Sequence, residues 1–335
     1  MGIFRPLRNL IWGKGLLNHI PTELDPVESP HRSQICTVVV TFNIGEAIHR
    51  CVNSIQGQVG HVLIVDNGSD EQTRRELKQL AASASITLIL NERNEGVARA
   101  FNQAVRWAQP RGFQWILTLD HDSEATPGMV DELLRGYCAL GRAGIRNVAI
   151  IATNPFDLNI QQYLDYPPRE NGGLPVYGGE VMSSGSLIRL QAFDFVGFFN
   201  EDLFIYFVDV DFCRRLGDAG YGVYACPEAV LLHREGTKRW HKFLWIDALY
   251  DHYGRAARYY ITRNTIYFLK KLRPSRHDFT VLIGRLWKDH VNILLFDEDR
   301  FPVLWFSLRG LLDGIRGKVG PMNAVSKLAQ SADSC

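Results

Sequence analysis

The sequence predicts an α/β fold with a largely parallel central sheet and helices on both faces. Apolar, β-branched runs alternate with helical segments along residues 35–152. Strands separated by helices of this length need crossover connections, which are right-handed and give parallel pairing. Two of the strands end in polar clusters, at 66–70 and 120–123. Because ligands of such sheets bind beyond the carboxyl ends of the strands, we expect the functional site there.

Each element of this half follows from its local pattern. Strands are predicted where continuous apolar composition indicates burial on both sides, over 35–41, 61–65, 86–90, 115–119 and 148–152. Helices are predicted between them, over 46–56, 70–82 and 95–108, and from Pro127, since proline is favoured at the first helical position.

The second half of the chain is less regular. Residues 154–182 are rich in proline and glycine and predict a long loop. A strand over 183–189, a helix over 208–219 and short strands over 222–225 and 229–233 follow, and the pattern after Gly236 is helical to the end. We therefore expect three parts: a leader and linker (1–34), an α/β domain (35–235) and a basic, aromatic, helical C-terminal region (236–335).

Composition excludes several classes of protein. The 335 residues carry a net charge of +1, which argues against a dedicated nucleic-acid binder, and 46% are hydrophobic, which argues against disorder. No stretch approaches the roughly 18 apolar residues of a membrane span. The six cysteines form no Cys-x-x-Cys pair, and the dinucleotide and P-loop glycine motifs are absent. These features predict a reduced, cytoplasmic protein.

Basic residues concentrate in one segment. Residues 236–277 hold ten lysines and arginines against two acids, interleaved with aromatic residues. The leader has no acid over 1–20, and residues 301–312 are apolar and aromatic. The segment is either a solvated helix face or a surface for phosphates, in a ligand or in an anionic membrane. The second alternative predicts peripheral attachment at the inner face of the cytoplasmic membrane.

The strongest chemical signal is Asp120-His121-Asp122, which follows a predicted buried strand. Carboxylate oxygens suit Mg²⁺ or Mn²⁺, which are commonly held by one or two carboxylates together with substrate phosphates. The alternative is a chance Asp-x-Asp in a loop. The apolar strand before the triplet and the helix that begins at Pro127 favour a metal site.

Several motifs, in this order along the chain, resemble those of family 2 glycosyltransferases with the GT-A fold. They are Thr-Phe-Asn at 41–43, Val-Asp-Asn-Gly-Ser at 65–69, Asn-Glu-Gly-Val-Ala at 94–98, Leu-Asp-His-Asp-Ser at 119–123, Ser-Ser-Gly-Ser-Leu-Ile at 183–188 and Val-Asp-Val-Asp-Phe-Cys at 208–213. The resemblance extends from about 35 to 270. Arg-Tyr-Tyr-Ile-Thr-Arg-Asn at 258–264 resembles the rhamnosyltransferase branch.

The resemblance implies that the ends of the first two strands cradle the nucleotide base of a nucleotide-sugar donor. Here these positions are Thr41, the neighbouring Asn43, and Asp66, whose carboxylate can accept the N3–H of uracil or thymine. Asp66 can instead cap its own turn or the next helix, for which the residues that follow it are well suited.

Two further groups of donor-binding residues are expected. Arg93, Asn94 and Gly96 precede the third helix, where backbone N–H groups and an arginine suit nucleotide recognition. An ordinary turn is the alternative. Ser184 and Gly185 would form a floor beside the sugar, since small residues let the backbone approach a ligand; the alternative is a strand with a glycine bulge.

The resemblance also implies the metal ligands. Asp122, the second carboxylate of the triplet, is expected to be the main ligand, with Asp120 near the ribose and diphosphate. His233 matches a position that supplies a further ligand in the family, although a single histidine is more often structural. The bound Mg²⁺ or Mn²⁺ would neutralise the diphosphate leaving group.

Transfer with inversion needs a general base, and the candidates are Asp209 and Asp211. Asp211 has Arg214 and Arg215 at the i+3 and i+4 positions of the predicted helix, an ordinary surface pairing. No helical partner neutralises Asp209, so we expect Asp209 to be the base. Both can instead stabilise the helix N-terminus. The family often has Glu-Asp here, and Val208 replaces the glutamate.

Together these features predict an inverting, metal-dependent glycosyltransferase. The expected donor is dTDP-L-rhamnose, and the expected acceptor is a glycan, lipid-linked, in cell-surface polysaccharide assembly such as that of O-antigen. A UDP-hexose or UDP-galactofuranose transferase is the alternative of the same fold. A nucleotidyltransferase is the alternative of another class, but it needs a glycine-rich, basic loop where residues 42–46 carry one glycine and no base. Nucleic acid is not an expected partner.

Overall fold

The computed structural model describes residues 23–25, 30–167, 169, 172–234, 237–243, 246–271 and 276–322. Most of the predicted leader and linker (1–34) lies outside these residues.

The strands of the described chain are β1 (Ile35–Thr41), β2 (His61–Asp66), β3 (Ile86–Leu90), β4 (Trp115–Asp120), β5 (Glu124–Ala125), β6 (Val148–Asp157), β7 (Gln162–Tyr163), β8 (Val176–Tyr177), β9 (Ser186–Arg189), β10 (Gly222–His233), β11 (Thr237–Phe243) and β12 (Ile246–His252). The helices are α1 (Ile48–Gln56), α2 (Glu71–Leu80), α3 (Val97–Ala108), α4 (Met129–Arg142), α5 (Ala192–Val196), α6 (Val208–Asp218), α7 (Arg255–Lys271), α8 (Arg276–Phe296) and α9 (Arg300–Ile315).

One mixed sheet forms the centre of the fold, in the order β3-β2-β1-β4-β9-β6-β10-β5. The first four strands pair in parallel, and β6 pairs in parallel with β10. Strand β9 runs antiparallel to both of its neighbours, β4 and β6. The predicted α/β architecture is confirmed, with a mostly parallel sheet.

Helices cover both faces of this sheet, as the alternation along β1 shows. Val38 belongs to an apolar cluster with Phe101 of α3 and Phe212 of α6. Val39, one residue further, belongs to the opposite cluster with Ile55 of α1. Successive strand side chains point to opposite faces, so a strand that is apolar at every position needs a helical layer on each side.

Two of the predicted boundaries are wrong in the middle of the chain. The predicted loop over 154–182 is partly strand, because β6 continues to Asp157 and β7 and β8 are added to the sheet. The two short strands predicted over 222–225 and 229–233 are a single strand, β10, whose register shifts between Ala225 and Val230. This β-bulge absorbs the extra residues without ending the strand.

The C-terminal region is helical, but it does not begin as predicted. Strands β11 and β12 pair as an antiparallel hairpin before α7, where the sequence predicted helix from Gly236 onward. Helices α7 and α9 then pack closely, because Gly310 lets the backbones meet: a Cβ there would lie 2.3 Å from the Tyr259 carbonyl oxygen. Among the described residues, no helix is long and apolar enough to cross a membrane.

Candidate active site

Asp120, Asp122 and His233 come together at the carboxyl edge of the sheet. Asp120 ends β4, and the short strand β5 that follows pairs antiparallel with the end of β10, so that Glu124 lies opposite Leu232. This pairing brings His233 beside the Asp-His-Asp turn. One ligand atom from each of the three side chains lies within 4.8 Å of the others. The distance from Asp122 Oδ1 to His233 Nδ1 is 3.7 Å.

The chemistry of this cluster fits a hard divalent cation. Asp122 Oδ1 is buried and has no hydrogen-bond partner in the described part of the chain, a costly state for a carboxylate oxygen without a cation. Burial, and then the charge of Asp122, raise the pKa of Asp120. Two carboxylates and an imidazole, close together and partly desolvated, form a ligand set for Mg²⁺ or Mn²⁺.

A chain of hydroxyl groups orients His233 and ties the cluster to the loop before β9. Ser123 Oγ lies 2.9 Å from His233 Nδ1 and 2.9 Å from Ser184 Oγ. The Ser184 hydroxyl in turn accepts a hydrogen bond of 3.0 Å from the backbone N–H of Asp120. The predicted floor residue Ser184 therefore lies at the site and holds the metal-binding turn in place, a contact that sequence reasoning missed.

Gly185 is required for a reason other than the predicted one. Its φ is +83°, and a Cβ there would lie 1.9 Å from Thr153 Oγ1 on β6. The glycine thus permits close packing of the loop on the neighbouring strand, and the contact that needs it is with protein. Its backbone N–H donates 2.7 Å to the Thr118 carbonyl of β4.

The two candidate bases have different surroundings. Asp211 is buried and pairs with Arg215, whose Nε lies 2.8 Å from Asp211 Oδ2. Asp209 has no ion pair within the described residues; its Oδ2 accepts 3.3 Å from the backbone N–H of Ser183 and its Oδ1 accepts 2.9 Å from that of Val210. The expected pairing of Asp211 is confirmed for Arg215, whereas Arg214 pairs with Asp218.

Burial, with a smaller contribution from the nearby charge of Asp120, raises the pKa of Asp209 to about 6. Backbone hydrogen bonds from Val210 and Ser183 oppose that rise. The carboxylate therefore lies beside the metal-ligand cluster, bonded to the same loop that carries Ser184. A pKa near the working pH suits a general base.

Asp66 is fully buried, and other protein groups occupy its oxygens. The Thr41 hydroxyl donates 3.2 Å to Oδ1, the Ser69 backbone N–H donates 3.1 Å to Oδ2, and the Ser69 hydroxyl also donates to Oδ1. Arg74 Nε lies 3.8 Å from Oδ2. These contacts support the alternative in which Asp66 caps its own turn. Helix α2 is capped by Asp70 instead.

Asn43 joins the loops that follow β1 and β2. Its backbone N–H donates 2.9 Å to Ser69 Oγ, and its Oδ1 accepts 2.9 Å from the backbone N–H of Asp70. The left-handed backbone of Asn43, with φ of +50°, is one that asparagine tolerates well. Thr41 and Asn43 thus hold these strand ends together with Asp66.

The start of α3 is not open to a phosphate. The Phe204 carbonyl oxygen accepts from the backbone N–H of Val97 (2.8 Å) and of Ala98 (3.4 Å), the donors expected to meet the nucleotide. Gly96, with φ of +88°, permits this contact, because a Cβ there would lie 2.6 Å from the same oxygen. These contacts support the alternative in which Gly96 belongs to an ordinary turn, and its nucleotide contact stays a prediction.

Arg93 and Asn94 lie in the turn before that helix. The Arg93 side chain is 79% exposed and its Nε lies 2.8 Å from Glu95 Oε1. Asn94 Oδ1 accepts 2.9 Å from the Gly96 backbone N–H, a local turn contact. Arg93 is thus exposed at the surface but paired with Glu95, whereas Asn94 shapes the turn.

Comparison with known proteins identifies the domain that carries this site. Residues 36–195 match the family described as Glycosyl transferase family 2. The chain carries a family 2 glycosyltransferase domain. It is 26% identical over 303 residues to a dTDP-rhamnosyl transferase of Shigella flexneri, covering 86% of this chain and 97% of that protein.

Two further comparisons agree. A galactofuranosyltransferase of Mycolicibacterium smegmatis is 25% identical over 274 residues, covering 73% of this chain and 87% of that protein. A mannosyltransferase of Pyrobaculum calidifontis, solved in complex with GDP-Man and Mn²⁺, superposes with a TM-score of 0.50 at 15% identity, covering 95% of this chain and 84% of that one. At this identity the likeness shows the fold alone. The predicted GT-A glycosyltransferase, dependent on a nucleotide sugar, is confirmed.

The glycosyltransferase has an unusual backbone just before α6. Phe204, Tyr206 and Phe207 all have left-handed φ angles, between 63° and 66°. Such conformations cost of order 1–3 kcal/mol for residues other than glycine and persist only where the surroundings enforce them. The segment 203–207 precedes Asp209 directly, so its conformation sets where the candidate base lies.

Helix α7 enforces this conformation through two buried side chains. Asn264 Nδ2 lies 3.1, 2.8 and 2.9 Å from the carbonyl oxygens of Leu203, Ile205 and Tyr206. Arg263 Nη2 donates 2.8 Å to the Leu203 carbonyl. Sequence reasoning noted this Arg-Asn pair only as a branch resemblance and missed its contacts, because polar residues recur along α7 and nothing local marks these two as buried.

These contacts also correct the prediction of a basic surface at 236–277. Arg258 and Arg263 are 2% and 1% exposed. Arg258 pairs with Asp289 of α8, at 3.0 Å, and Arg263 is used by the backbone of the base-carrying segment. Of the ten predicted surface charges, Arg263 therefore holds α7 to the catalytic domain and Arg258 holds α7 to α8. Arg273 lies outside the described residues.

Proposed function

We propose that the protein is an inverting, metal-dependent glycosyltransferase that moves L-rhamnose from dTDP-L-rhamnose onto a glycan. One observation carries this proposal: the loop that donates to Asp209 through the Ser183 N–H also bonds to the metal-ligand cluster through the Ser184 hydroxyl, which accepts from the Asp120 N–H. A base and a diphosphate-binding cluster side by side are the two groups that direct displacement at an anomeric carbon needs.

Asp122, Asp120 and His233 are the residues that hold Mg²⁺ or Mn²⁺ in this proposal. When bound, the ion neutralises charge on the diphosphate leaving group. The buried Asp122 oxygen, which has no hydrogen bond from any residue that the structure describes, supports this assignment. Ser123 and Ser184 orient the ligands through the hydroxyl chain and do not themselves react.

Asp209 acts on the acceptor side. Its carboxylate removes the proton of the attacking acceptor hydroxyl, while the oxygen of that hydroxyl bonds to the anomeric carbon. The bond between that carbon and the diphosphate oxygen breaks, and the nucleoside diphosphate takes the electron pair. Attack from the side opposite the leaving group inverts the configuration. Asp211 is neutralised by Arg215 and positions the helix.

The donor half of the domain is proposed to span about 35–123 and the acceptor half about 124–235. In the donor half, the exposed Arg93 is proposed to contact the nucleotide by exchanging its ion pair with Glu95 for one with the diphosphate. Thr41, Asn43 and Asp66 support the base pocket by fixing the ends of β1 and β2 to each other. Asn94 and Gly96 shape the turn that presents Arg93.

The rhamnose assignment rests on a similarity that extends over nearly the whole Shigella rhamnosyl transferase. The galactofuranosyltransferase similarity supports a second candidate, transfer of galactofuranose from UDP-galactofuranose. Donor hydrolysis across a panel of dTDP and UDP sugars, with Mg²⁺ or Mn²⁺, separates the two. Release of dTDP from dTDP-L-rhamnose alone supports the first; turnover of UDP-galactofuranose alone overturns it.

The acceptor is proposed to be a lipid-linked oligosaccharide of cell-surface polysaccharide assembly, reached from the cytoplasm at the inner face of the membrane. The C-terminal helices α8 and α9 support this, because they expose large apolar side chains. A transfer assay with lipid-linked and water-soluble forms of the same glycan tests the proposal. Equal turnover of both forms contradicts a role for the lipid.

A further inference from the structure

Helices α8 and α9 expose many large apolar side chains to solvent. Trp287 on α8 is 71% exposed, and Phe301 and Trp305 on α9 are 77% and 66% exposed. The other exposed apolar residues of the two helices are Phe279, Ile283, Leu294, Leu295, Leu308, Leu312 and Ile315. Apolar patches of this kind are rare on soluble monomers and mark interaction surfaces.

The exposed residues of α9 form one stripe. Phe301, Trp305, Leu308, Leu312 and Ile315 recur at intervals of three and four residues, which places them on a single side of the helix. The buried residues Val303, Phe306, Gly310 and Gly314 recur with the same period on the opposite side. The helix is therefore apolar on two sides, of which only one meets the core of the protein.

The stripe cannot turn inward, because tight contacts fix the other side of α9. A Cβ at Gly314 would lie 2.8 Å from Ile266 Cβ of α7. Ser307 Oγ lies 2.7 Å from Thr262 Oγ1 of α7 and 3.1 Å from His290 Nε2 of α8. Both C-terminal helices are thus held with their apolar stripes toward the outside.

Charged side chains on these helices differ in how they are paired. Four acidic side chains have partners: Asp289 with Arg258 at 3.0 Å, Asp313 with Lys318 at 2.8 Å, Asp297 with Tyr250 at 2.6 Å, and the exposed Asp299 with Arg255. Four exposed bases have no ion-pair partner among the residues that the structure describes; they are Arg276, Lys288, Arg300 and Arg316. Of the acidic side chains described on these helices, Glu298 and Asp299 are exposed.

We propose that the outward face of α8 and α9, called here the lipid-facing surface, inserts into the interface of a bilayer that contains anionic lipid. Tryptophan and phenylalanine favour the depth of the headgroups, and flanking bases favour anionic lipid. A second copy of the chain fits less well. A two-fold interface would set the same four unpaired bases against each other, whereas the exposed acids described there are Glu298 and Asp299, and Asp299 is already paired with Arg255.

Attachment through the lipid-facing surface differs from the electrostatic attachment that composition predicts. A basic segment over 236–277 would bind membranes by charge alone and would be released by salt. The lipid-facing surface instead buries aromatic side chains, and apolar burial does not depend on charge screening. Binding to anionic vesicles should therefore weaken in 1 M salt yet persist. The link to a lipid-linked acceptor rests on the proposed function, whereas vesicle binding itself needs neither donor nor acceptor.

Sedimentation of the full-length protein with vesicles of phosphatidylcholine and phosphatidylglycerol tests the surface. Burial of one aromatic side chain changes a partition coefficient by roughly tenfold or more. We therefore expect Trp287→Ser with Trp305→Ser to lower partitioning by roughly 100-fold. Brominated lipids should quench tryptophan emission of the wild type, and the quenching should be lost in the Trp287→Phe, Trp305→Phe variant.

Tyr177→Ser is the matched control, since Tyr177 is a similarly exposed aromatic residue on β8 of the catalytic domain. It should leave partitioning unchanged. Wild-type partitioning in the double serine variant would overturn the inference. The inference would also be overturned if the wild type did not bind vesicles and light scattering showed a wild-type dimer that the double serine variant converts to a monomer. Unchanged donor hydrolysis in the same variant shows that the catalytic site is intact, so that the two proposals can fail separately.

Discussion

Asn264 offers the most direct test of how the candidate base is positioned. The residue is fully buried, and its amide reaches the carbonyls of Ile205 and Tyr206 in the segment that precedes Asp209. Asn264→Leu keeps a side chain of similar length and removes both donors. We expect the left-handed segment 203–207 to relax and the start of α6 to move with it.

The expected loss of stability follows from the hydrogen bonds. Each bond contributes about 0.5–1.5 kcal/mol net, and a buried carbonyl left without its donor costs about 1–3 kcal/mol. Leu203 keeps its bond from Arg263, so the loss falls on two carbonyls, those of Ile205 and Tyr206. Relief of backbone strain offsets part of it. The free energy of unfolding should fall by about 2–4 kcal/mol.

The expected loss of activity is larger than the loss of stability suggests. A displacement of about 1 Å at a reacting group can cost about 100-fold in rate, so kcat for transfer should fall by about that factor. Donor affinity should stay at the wild-type value, because Asp122 and His233 lie on β4–β5 and β10, away from α7. A fall in kcat without a change in donor affinity is what a positioning role predicts.

Urea unfolding, calorimetric titration of the donor and steady-state transfer assays measure these three quantities. Thr265→Val is the control, since the Thr265 hydroxyl donates to the Ile261 carbonyl within the same helix and does not contact the segment. A positioning role for Asn264 is refuted if the Asn264→Leu variant has a free energy of unfolding within about 1 kcal/mol of the wild type, the lower limit for one unmade bond, and also transfers sugar at the wild-type rate.

Three further predictions concern the site. Asp122→Ala should abolish transfer while thermal unfolding stays cooperative, and EDTA should reproduce the effect in the wild type; turnover without added metal would contradict the metal assignment. Asp209→Asn should retain donor binding and lose transfer, whereas loss in Asp211→Asn alone would reverse the choice of base. Because the folded pKa of Asp209 is raised to about 6, its ionisation destabilises the fold increasingly from the unfolded pKa of about 4 up to pH 6, and fully above that pH. In metal-free buffer Asp209→Asn should therefore stabilise the protein by about 1–3 kcal/mol at pH 8 and by almost nothing at pH 3.5, which is below both pKa values. Transfer should rise with pH through about 6. Gly96→Ala should destabilise the fold by more than 2 kcal/mol, roughly the cost of a forced backbone clash, whereas Gly57→Ala, in open space, should be neutral by thermal unfolding.

The sequence alone determined the catalytic architecture, because its elements depend on local patterns. Predominantly apolar, β-branched runs predicted β1, β2, β3 and β4 close to their bounds, since strands that are covered by helices carry few polar side chains. Asp120 and Asp122 were found in the same way, as carboxylates directly after such a run. The order of the short motifs was enough to identify the glycosyltransferase family, which the comparison confirms.

Tertiary structure decided which polar residues share a site. His233 reaches Asp122 only because β5 pairs with β10, a contact between strands about a hundred residues apart. The same holds for the Phe204 carbonyl, which occupies the helix start where Gly96 was expected to meet a ligand. No local pattern encodes such partners, because a backbone carbonyl or N–H is present at nearly every residue.

Burial of charge was the other quantity that only the fold could supply. The count of basic residues placed Arg258 and Arg263 on a basic surface, yet both are buried. Conversely, the composition of α9 is equally consistent with a buried helix, yet one side of α9 is exposed. A side chain's charge is fixed by its identity, but its solvation depends on which element packs against it. The sequence therefore determined the chemistry available to this protein, and the packing of α7 and α9 decided where that chemistry faces solvent.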